Sequence, residues 1–576
     1  MRILYVIFAV FETLLPCHAQ ISEIPSLKPS ELTQELQIYT YSIPAPRGQI
    51  IDRNGIPIAQ NEVVYHLESF DYENMLQHVE DAATLLGRAL PFSKDALSKH
   101  IDARSSQPFI YATGIKESEI SKFSCKSMPS YQRYYPHGDS LCHILGYASV
   151  DGKFLASKYQ QGEPLSPTFE GRDGLELSFD KELTGVNGEL TRIYDKNKLV
   201  DEYITKRPIP GNNVIITIDI KLQKLCENAL NACKRGAIVI TDPETGDILA
   251  AASNPRYYPS SFVPQISKTL YDQLEANPDI PLLDRTFRSA YPPGSTFKII
   301  VGLAALSSGK ISPDDKFPGP ASLKIGNTVF KNWKNSDSGD IDWYEALAQS
   351  CNTWFYKVGI DTGSHLIAQT AANLGIGQKT GIPLKSETSG ILTTDEYVAK
   401  RYKRKMFDGD VANLSIGQGD LQISPLQMSL AMGGLKGTLY KARLVKCIMS
   451  PYGEMVKEFT PSVKSQFTVD NGTWEAIRDA MIGVVENGTG GHAKVPYVQI
   501  AGKTGTAQWG PKNKERTVAW FTGFIPASNP KYCFTAVYEG NENSDIHGGT
   551  AAAPMIGKVF TEVYKDRKPV KNSRKE

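Results

Sequence analysis

The chain has 576 residues, enough for several domains, and its 63 Lys and Arg against 62 Asp and Glu leave a net charge of +1. This near-neutral balance argues against a protein that coats nucleic acid, and a content of 41% hydrophobic and 22% charged residues excludes global disorder. No stretch of about 20 apolar residues occurs, which excludes a polytopic membrane protein.

The N-terminal segment predicts export. Arg2 is followed by a short apolar run, 3–11, and by a small residue, Ala19, which is the order of a secretory signal. Residues 1–19 are therefore predicted to be a signal peptide or a membrane anchor, and the sequence leaves both fates open. The eight cysteines are thinly spread, which indicates neither a disulfide framework nor a zinc cluster.

A hairpin and a domain boundary organise the first part of the chain. Asn54-Gly55 lies between two apolar runs, which is typical of a tight hairpin turn. The charged residues of this element, Arg47, Asp52 and Arg53, fit a partner contact or an internal salt-bridge cluster. A boundary near 208–213 separates an N-terminal domain from a larger one. The predicted division is 20–210, 211–565 and a basic tail, 566–576.

The larger domain has strand patterns at both ends and helical patterns between them. Strands are predicted over 214–218, 235–242, 248–252, 498–502, 517–525 and 532–538, and helices over 220–233, 344–358, 424–434 and 473–486. This order predicts an α+β fold in which one mostly antiparallel sheet carries a cluster of helices.

The segment around Ser295 carries the first chemical signal. Pro293-Gly294 ends the preceding chain, and an apolar run predicts a buried helix from there to about residue 307. Ser295 and Lys298 fall on one face of this helix. Because burial lowers the pKa of a lysine, Lys298 would be a neutral base beside a serine nucleophile. A lone Ser-x-x-Lys is weak evidence, since Ser295 could simply cap a helix.

Ser350-Cys351-Asn352 is the second motif, and it follows an amphipathic stretch. The Ser350 hydroxyl could relay a proton, and the Asn352 amide could hold a substrate amide. An ordinary turn between helices is the plain alternative.

Lys503, Thr504, Gly505 and Thr506 form the third motif, at the end of a strand predicted over 497–501. A cation, two hydroxyls and a glycine at a strand edge can bind a carboxylate and a peptide that adds as a strand. A strand-end turn is the alternative here.

Lys379-Thr380-Gly381 repeats the start of the third motif. It lies among glycines, with no strand predicted before it, and we therefore reject it as the substrate edge.

In this order, the three motifs resemble the penicillin-recognising serine acyltransferases. Over about 41–560 the chain resembles class B penicillin-binding proteins, and the Trp333-Lys334 context resembles the elongation type, penicillin-binding protein 2. Further elements that carry the resemblance are Arg47-Gly48 with Asp52-Arg53-Asn54-Gly55, Arg133-x-Tyr135-Pro136, His143-Ile144-Leu145-Gly146-Tyr147, Gly171-x-x-Gly174-Leu175-Glu176 and Ser415-Ile416-Gly417-Gln418-Gly419.

The resemblance implies a penicillin-recognising transpeptidase fold, with a five-stranded antiparallel sheet and a helical cluster, after an elongated pedestal or dimerisation domain. It implies a D,D-transpeptidase that cross-links peptidoglycan stem peptides ending in D-Ala-D-Ala during cell elongation and that β-lactams acylate. Ser295 would be the nucleophile, Lys298 its base, and Ser350 and Asn352 the second element. Lys503, Thr504, Gly505 and Thr506 would form the carboxylate-binding edge. The N–H groups of Ser295 and Thr506 would form the oxyanion hole.

The resemblance also implies a location and partners. The protein would lie at the cell inner membrane with its catalytic domain in the periplasm. It would act with a polytopic glycosyltransferase of the SEDS type and with other elongation proteins, and nucleic acid is not expected. Some elongation-type enzymes hold zinc through a His after the Trp-Lys element. Ser336-Asp337-Ser338-Gly339 stands there in this sequence, so we expect no metal and no cofactor.

Two alternatives to a transpeptidase stay open. One is a serine hydrolase of the same superfamily, either a D,D-carboxypeptidase or a β-lactamase, which needs a group that activates water on the acyl-enzyme. The sequence does not reveal such a group. The other alternative is a penicillin-binding sensor or scaffold, although the retention of all three motifs favours an active enzyme.

Overall fold

The computed structural model describes residues 36–90, 92–104, 108–123, 127–150, 168–195, 198–510 and 515–568. The predicted signal or anchor, 1–19, and residues 569–576 of the basic tail lie outside these ranges. Among the described residues, no helix is long and apolar enough to cross a membrane.

A five-stranded antiparallel sheet forms the centre of the larger domain. Its strands are almost wholly buried because helices cover both faces. This confirms the predicted α+β architecture. In spatial order the strands are Ile248–Asn254, Arg235–Thr241, Tyr532–Glu542, Arg516–Ile525 and Ala501–Trp509.

Two groups of helices pack on this sheet. Ile220–Leu230 and Ala553–Tyr564 cover one face, and the apolar helix Lys298–Ser307 lies at the centre of the cluster on the other face. The remaining helices of this domain are Lys268–Ala276, Trp343–Gln349, Asn352–Thr362, Ser364–Asn373, Asp395–Tyr402, Asp408–Ser415, Pro425–Gly434 and Asn471–Glu486. Short strand pairs border the cluster: Phe317–Pro318 with Asp340–Ile341, Ser322–Ile325 with Thr328–Lys331, and Thr438–Tyr440 with Val463–Gln466.

Two local predictions in this domain are wrong. The helix predicted over 344–358 is broken at Ser350, whose φ of 57° ends one helix before the next begins at Asn352. The strand predicted over 497–501 begins only at Ala501, because its pairing with Arg516–Ile525 runs through the third motif itself. Lys503 to Thr506 therefore lie within a strand and not after one.

The N-terminal region contributes strands to a three-stranded sheet and to a seven-stranded sheet. Leu36–Ile43, Gly188–Asp195 and Lys198–Lys206 form a three-stranded sheet. Pro57–Ser69 pairs with both Phe109–Lys116 and Ser127–Tyr134. The helices Met75–Leu86 and Lys94–Arg104 connect the first of these strands to the second along the chain. Shorter elements are Glu117–Ile120, Cys142–Leu145, Ala148–Val150, Phe169–Gly171, Gly174–Ser178 and Asp180–Leu183.

One sheet crosses the predicted boundary near residue 210. Asn213–Ile216 pairs antiparallel with Val445–Met449 and parallel with Ile50–Ile51. Ile50–Ile51 in turn forms the predicted hairpin with Pro57–Ser69, and Met455–Glu458 adds the opposite edge. Backbone hydrogen bonds therefore join the N-terminal region to the larger domain.

A group of paired charges lies at this junction. Glu176 is fully buried, with Arg133 at 2.6 Å and Arg47 at 3.0 Å from its two oxygens, and Arg47 also reaches Asp180 at 2.7 Å. Burial alone would raise the pKa of Glu176, but the two guanidinium groups outweigh it and lower that pKa. We call Arg47, Arg133, Glu176 and Asp180 the junction cluster.

The other two charges of the hairpin have separate roles. Asp52 is fully buried and accepts hydrogen bonds from the N–H groups of Asn54 and Ile56 at 2.8 Å, which shapes the hairpin turn. It also accepts from Ile220 N at 3.2 Å and so helps to cap the first helix of the larger domain. Arg53 is exposed. Arg47 and Asp52 thus make internal contacts, but among the described residues no ion pair joins Arg47, Asp52 and Arg53, so the salt-bridge cluster of these three residues, one of the two sequence interpretations, does not form.

Candidate active site

Ser295 lies in a tight turn that leads directly into the buried helix. The turn Gly294–Phe297 is a 3-10 segment, and every residue from Lys298 to Leu306 is buried, as the sequence predicts. Ser295 itself is half-buried. Its hydroxyl has no hydrogen-bond partner among the residues that the structure describes, so it is free to meet a substrate.

Gly294 brings this turn against the strand of the third motif. It has a φ of 54°, and a Cβ there would lie 2.7 Å from the carbonyl oxygen of Thr506. Its N–H donates to Gly417 O at 2.9 Å, so the 415–419 motif helps to hold this turn in place. A Cβ at Gly505 would lie 2.5 Å from the carbonyl oxygen of Pro293. Glycine is required on both sides because the two backbones touch.

Within the part of the chain that the structure describes, the hydrogen-bond partners of the Lys298 amine are uncharged oxygens. Its Nζ donates to Asn352 Oδ1 at 2.6 Å and to the carbonyl oxygen of Ser350 at 2.8 Å, and it lies 3.2 Å from Ser350 Oγ. The side chain is fully buried, and its Nζ lies 5.1 Å from the centre of the Phe355 ring. Burial, and secondarily the nearby charge of Lys503, lower the pKa of Lys298 well below its usual value.

Ser350 connects the two lysines of the site. Its left-handed backbone turns the chain between two helices and directs both its carbonyl and its hydroxyl toward Lys298. Lys503 Nζ donates to the same hydroxyl at 2.9 Å and to Thr504 O at 3.1 Å. Burial lowers the pKa of Lys503 to about 7. Ser350 can therefore pass a proton between two amines that are both easily neutralised.

Asn332 is a supporting residue that the sequence analysis missed. Its buried Oδ1 accepts from the N–H of Asn352 at 2.9 Å, and its Nδ2 lies 3.6 Å from the Cys351 sulfur. It therefore holds the second motif in place. Its position directly before Trp333-Lys334 was the available signal, but no pattern linked it to Asn352.

The third motif presents hydroxyls along a buried strand edge. Thr506 Oγ1 accepts from Gly548 N at 3.1 Å, and Thr504 Oγ1 lies 2.6 Å from Thr489 Oγ1. Lys503 and Thr504 are buried, whereas Thr506 is partly exposed. The structure thus joins Lys298, Ser350, Asn352 and Lys503 by direct contacts, with Ser295 and the two threonines on the adjoining turn and strand.

The rejected motif at Lys379-Thr380-Gly381 has a structural role. Both the N–H and the hydroxyl of Thr380 donate to Glu387 Oε1 at 2.6 Å, and Gly381 N lies 3.4 Å from Oε2. The motif thus binds the carboxylate of Glu387 in the same chain.

No group of His, Cys, Asp and Glu side chains suited to a metal occurs within the described ranges. Cys351 is a buried free thiol beside the site, and Cys226 and Cys233 are also buried and free.

Comparison with known families agrees with this geometry. The family model "Penicillin binding protein transpeptidase domain" matches residues 236–562, and "Penicillin-binding Protein dimerisation domain" matches residues 42–216. The chain therefore belongs to the penicillin-binding proteins that carry a dimerisation domain before a transpeptidase domain.

Individual relatives indicate which type of penicillin-binding protein this chain is. Peptidoglycan D,D-transpeptidase MrdA of Acinetobacter baumannii is 31% identical, with 91% of this chain and 81% of that protein aligned. The protein of that name in Escherichia coli K12 is 30% identical, with 92% and 88% aligned. A structure of penicillin-binding protein 2 from Helicobacter pylori, solved in complex with MreC, has a TM-score of 0.72 at 26% identity and covers 92% of this chain and 99% of that one. This chain is a class B enzyme of the penicillin-binding protein 2 type, a D,D-transpeptidase of cell-wall synthesis.

Proposed function

We propose that Ser295 is the nucleophile that accepts the acyl group of a stem peptide and that Lys298 is the base that removes its proton. The convergence of Lys298 and Lys503 on Ser350 supports this assignment most directly. A neutral amine has a lone pair for the Ser295 proton, and no carboxylate among the described residues contacts Lys298 Nζ to favour its charged form.

Ser350 carries the proton onward. Once Lys298 holds the proton from Ser295, the Ser350 hydroxyl gives its own proton to the leaving amine of D-Ala and takes one from Lys298. The bond from the penultimate D-Ala carbonyl to the terminal D-Ala nitrogen breaks, and an ester to Ser295 Oγ forms. The amine of a second stem peptide then attacks this ester, and the same groups return the proton to Ser295.

The remaining motif residues hold the donor peptide. Asn352 is placed to bind a peptide amide, and Lys503, Thr504 and Thr506 are placed to bind the terminal carboxylate along the strand edge that includes Gly505. The N–H groups of Ser295 and Thr506 would stabilise the oxyanion, a contribution of roughly 3–4 kcal/mol per donor. The close packing of Gly294 against Thr506 supports this pairing.

Location and partners extend the proposal. We place the catalytic domain outside the cytoplasm and the chain at the inner membrane, through the segment 1–19 as anchor or cleaved signal. The similarity to a penicillin-binding protein 2 solved with MreC supports a role in elongation. A second similar structure, that of a peptidoglycan synthase complex that coordinates polymerization and crosslinking, has a TM-score of 0.73 at 26% identity, and the match covers 99% of both chains. It supports a polytopic glycosyltransferase as the partner.

Labelled penicillin tests the assignment. Ser295→Ala in the full chain should abolish covalent labelling without unfolding the protein, because the Ser295 hydroxyl makes no hydrogen bond with any described residue and its loss therefore removes little stability. Mass spectrometry of the intact chain should find the adduct on the Ser295 peptide of the wild type. Persistent labelling of the alanine variant would show that another residue is the nucleophile.

The lifetime of the adduct separates the alternatives. A transpeptidase should hold the penicilloyl group for minutes or longer, whereas a carboxypeptidase or β-lactamase should release it rapidly. A scaffold should take no label.

A further inference from the structure

Thr489 contacts two elements of the candidate site from a loop that no motif identified. Its N–H donates to Ala348 O at 3.3 Å, two residues before Ser350, and its hydroxyl lies 2.6 Å from that of Thr504. The loop lies between the helix Asn471–Glu486 and the short turn Gly491–Ala493. It therefore spans from the second motif to the third.

Glycines fix the position of this loop. A Cβ at Gly488 would lie 2.3 Å from the carbonyl oxygen of Ala348, and a Cβ at Gly549 would lie 2.3 Å from the carbonyl oxygen of Thr489. Contacts this short allow no side chain, so the loop is held by backbone on two sides. The backbone of Thr489 is therefore closely packed, and its half-buried side chain places the hydroxyl 2.6 Å from that of Thr504.

The direction of the hydrogen bonds at Thr504 and Thr506 determines whether each hydroxyl can donate its hydrogen to an anion. A hydroxyl has one hydrogen to donate and can accept at its oxygen. Thr506 Oγ1 accepts from Gly548 N, which leaves its hydrogen for another acceptor. Thr504 Oγ1 has no such backbone donor among the described residues, but Thr489 Oγ1 lies within hydrogen-bond distance of it.

We propose that Thr489 is a positioning residue that donates its hydroxyl hydrogen to Thr504 and so directs the hydrogen of Thr504 toward the substrate carboxylate. Each strand threonine then has its oxygen occupied by one donor and its hydrogen free for the anion. Hydrogen bonds in such a chain strengthen one another, so removal of the first donor weakens the last bond. The inference rests on the proposed function, since it assumes that Thr504 binds the carboxylate.

Penicillin and its methyl ester isolate this effect, because only the acid presents a carboxylate. In Thr489→Val, which keeps the shape but lacks the hydroxyl, the second-order rate constant of acylation by the acid should fall about 3- to 10-fold, the value of one hydrogen bond. Acylation by the ester should stay at the wild-type rate. Thr489→Ser, which restores the hydroxyl, should return the acid rate to near the wild-type value.

Thr550→Val is the matched control, since Thr550 is an exposed threonine of the neighbouring turn that hydrogen-bonds only His547 O among the described residues. Its rates should equal those of the wild type. If Thr489→Val melts early, Thr489→Ala removes the hydroxyl without the branched side chain and replaces it in the series.

Two results would overturn the inference. One is an unchanged acid rate in the folded valine and alanine variants. The other is an equal loss with acid and ester, which would make Thr489 a structural support of the loop alone. Failure of the wild type to react with either compound would instead contradict the proposed function itself.

Discussion

The junction cluster and the lysine pair of the candidate site are both buried polar groups, but they differ in how charge is compensated. At the junction, Glu176 lies between Arg47 and Arg133, and these two guanidinium groups lower its pKa, so the Glu176 carboxylate keeps its charge. At the site, Lys298 and Lys503 contact carbonyl, amide and hydroxyl oxygens within the described structure, and the pKa of each is lowered.

The difference shows what burial does to an ionisable group with and without a partner. A paired charge stays ionised and fixes the geometry around it, and its removal leaves an uncompensated charge behind. An unpaired amine loses its proton and becomes a base. The first arrangement joins two domains, and the second supplies chemistry. The following predictions test this contrast.

The largest effect should follow from Lys298→Met, which removes the base but keeps an apolar chain of similar length. The second-order rate constant of acylation by penicillin should fall about 10²- to 10⁴-fold, the usual contribution of a general base. Stopped-flow or gel-based labelling measures it, with the Ser295→Ala variant as the zero point. A near-normal rate would identify another base, with Ser350 as the first candidate.

The same variant also has a pH signature. In the folded wild type Lys298 releases its proton well below its usual pKa, whereas in the unfolded chain it stays protonated up to about pH 10.4. Between this lowered pKa and about pH 10.4 the unfolded state therefore binds more protons, and wild-type stability should rise with pH across that window because of this residue. Lys298→Met should lack that contribution.

Glu176→Gln should affect stability and not chemistry. Removing one member of a buried charge cluster costs about 3–5 kcal/mol, because the remaining arginines lose their counter-charge. Urea unfolding should show this loss, while the folded fraction should be acylated by penicillin at the wild-type rate. Glu170→Gln is the control, since this half-exposed carboxylate pairs with Arg172 on the surface and should matter by less than about 1 kcal/mol.

A contrary result at the junction would be informative. Lost acylation with a normal unfolding curve would mean that the junction cluster acts on the active site through the fold, and the separation of the two roles would be wrong.

The smallest effect should come from the hairpin. Asp52→Ala removes the acceptor for Ile220 N and for the hairpin N–H groups of Asn54 and Ile56, and should lower stability by about 1–3 kcal/mol, the cost of leaving a buried donor unpaired. Arg53→Glu, at an exposed neighbouring position, should leave the melting temperature unchanged. Thermal melts of both variants provide the measurement. If Arg53→Glu alone lowered the melting temperature, this side chain would make a contact that its exposure does not indicate.

Local sequence patterns were sufficient to predict several features of this protein. Asn54-Gly55 predicted the hairpin because an Asn-Gly pair adopts the tight turn that the strands need. The apolar run after Ser295 predicted a buried helix, and burial alone implied a lowered pKa for Lys298. The three motifs supplied the residues that the structure brings together.

Other features depend on contacts between distant parts of the chain. The break at Ser350 requires a left-handed serine that no periodicity marks. The strand of the third motif begins at Ala501 because of its partner strand. Asn332 contacts Asn352 and Cys351, and Thr489 contacts Thr504, all across long stretches of sequence. Asp52 accepts a hydrogen bond from the first residue of a helix that begins 168 residues later. Such pairings leave no local signal.

The sheet that crosses the domain boundary constrains the order in which the chain can fold. Val214 pairs with Ile50 on one side and with Ile448 on the other, so this sheet is complete only after most of the chain has been synthesised. Closing loops of this length is entropically costly, and contacts between distant residues form slowly. Until residue 449 emerges, one edge of Asn213–Ile216 stays open, and an open edge is a site for wrong strand pairing. We therefore expect the N-terminal region to reach its final form together with the catalytic domain and not before it.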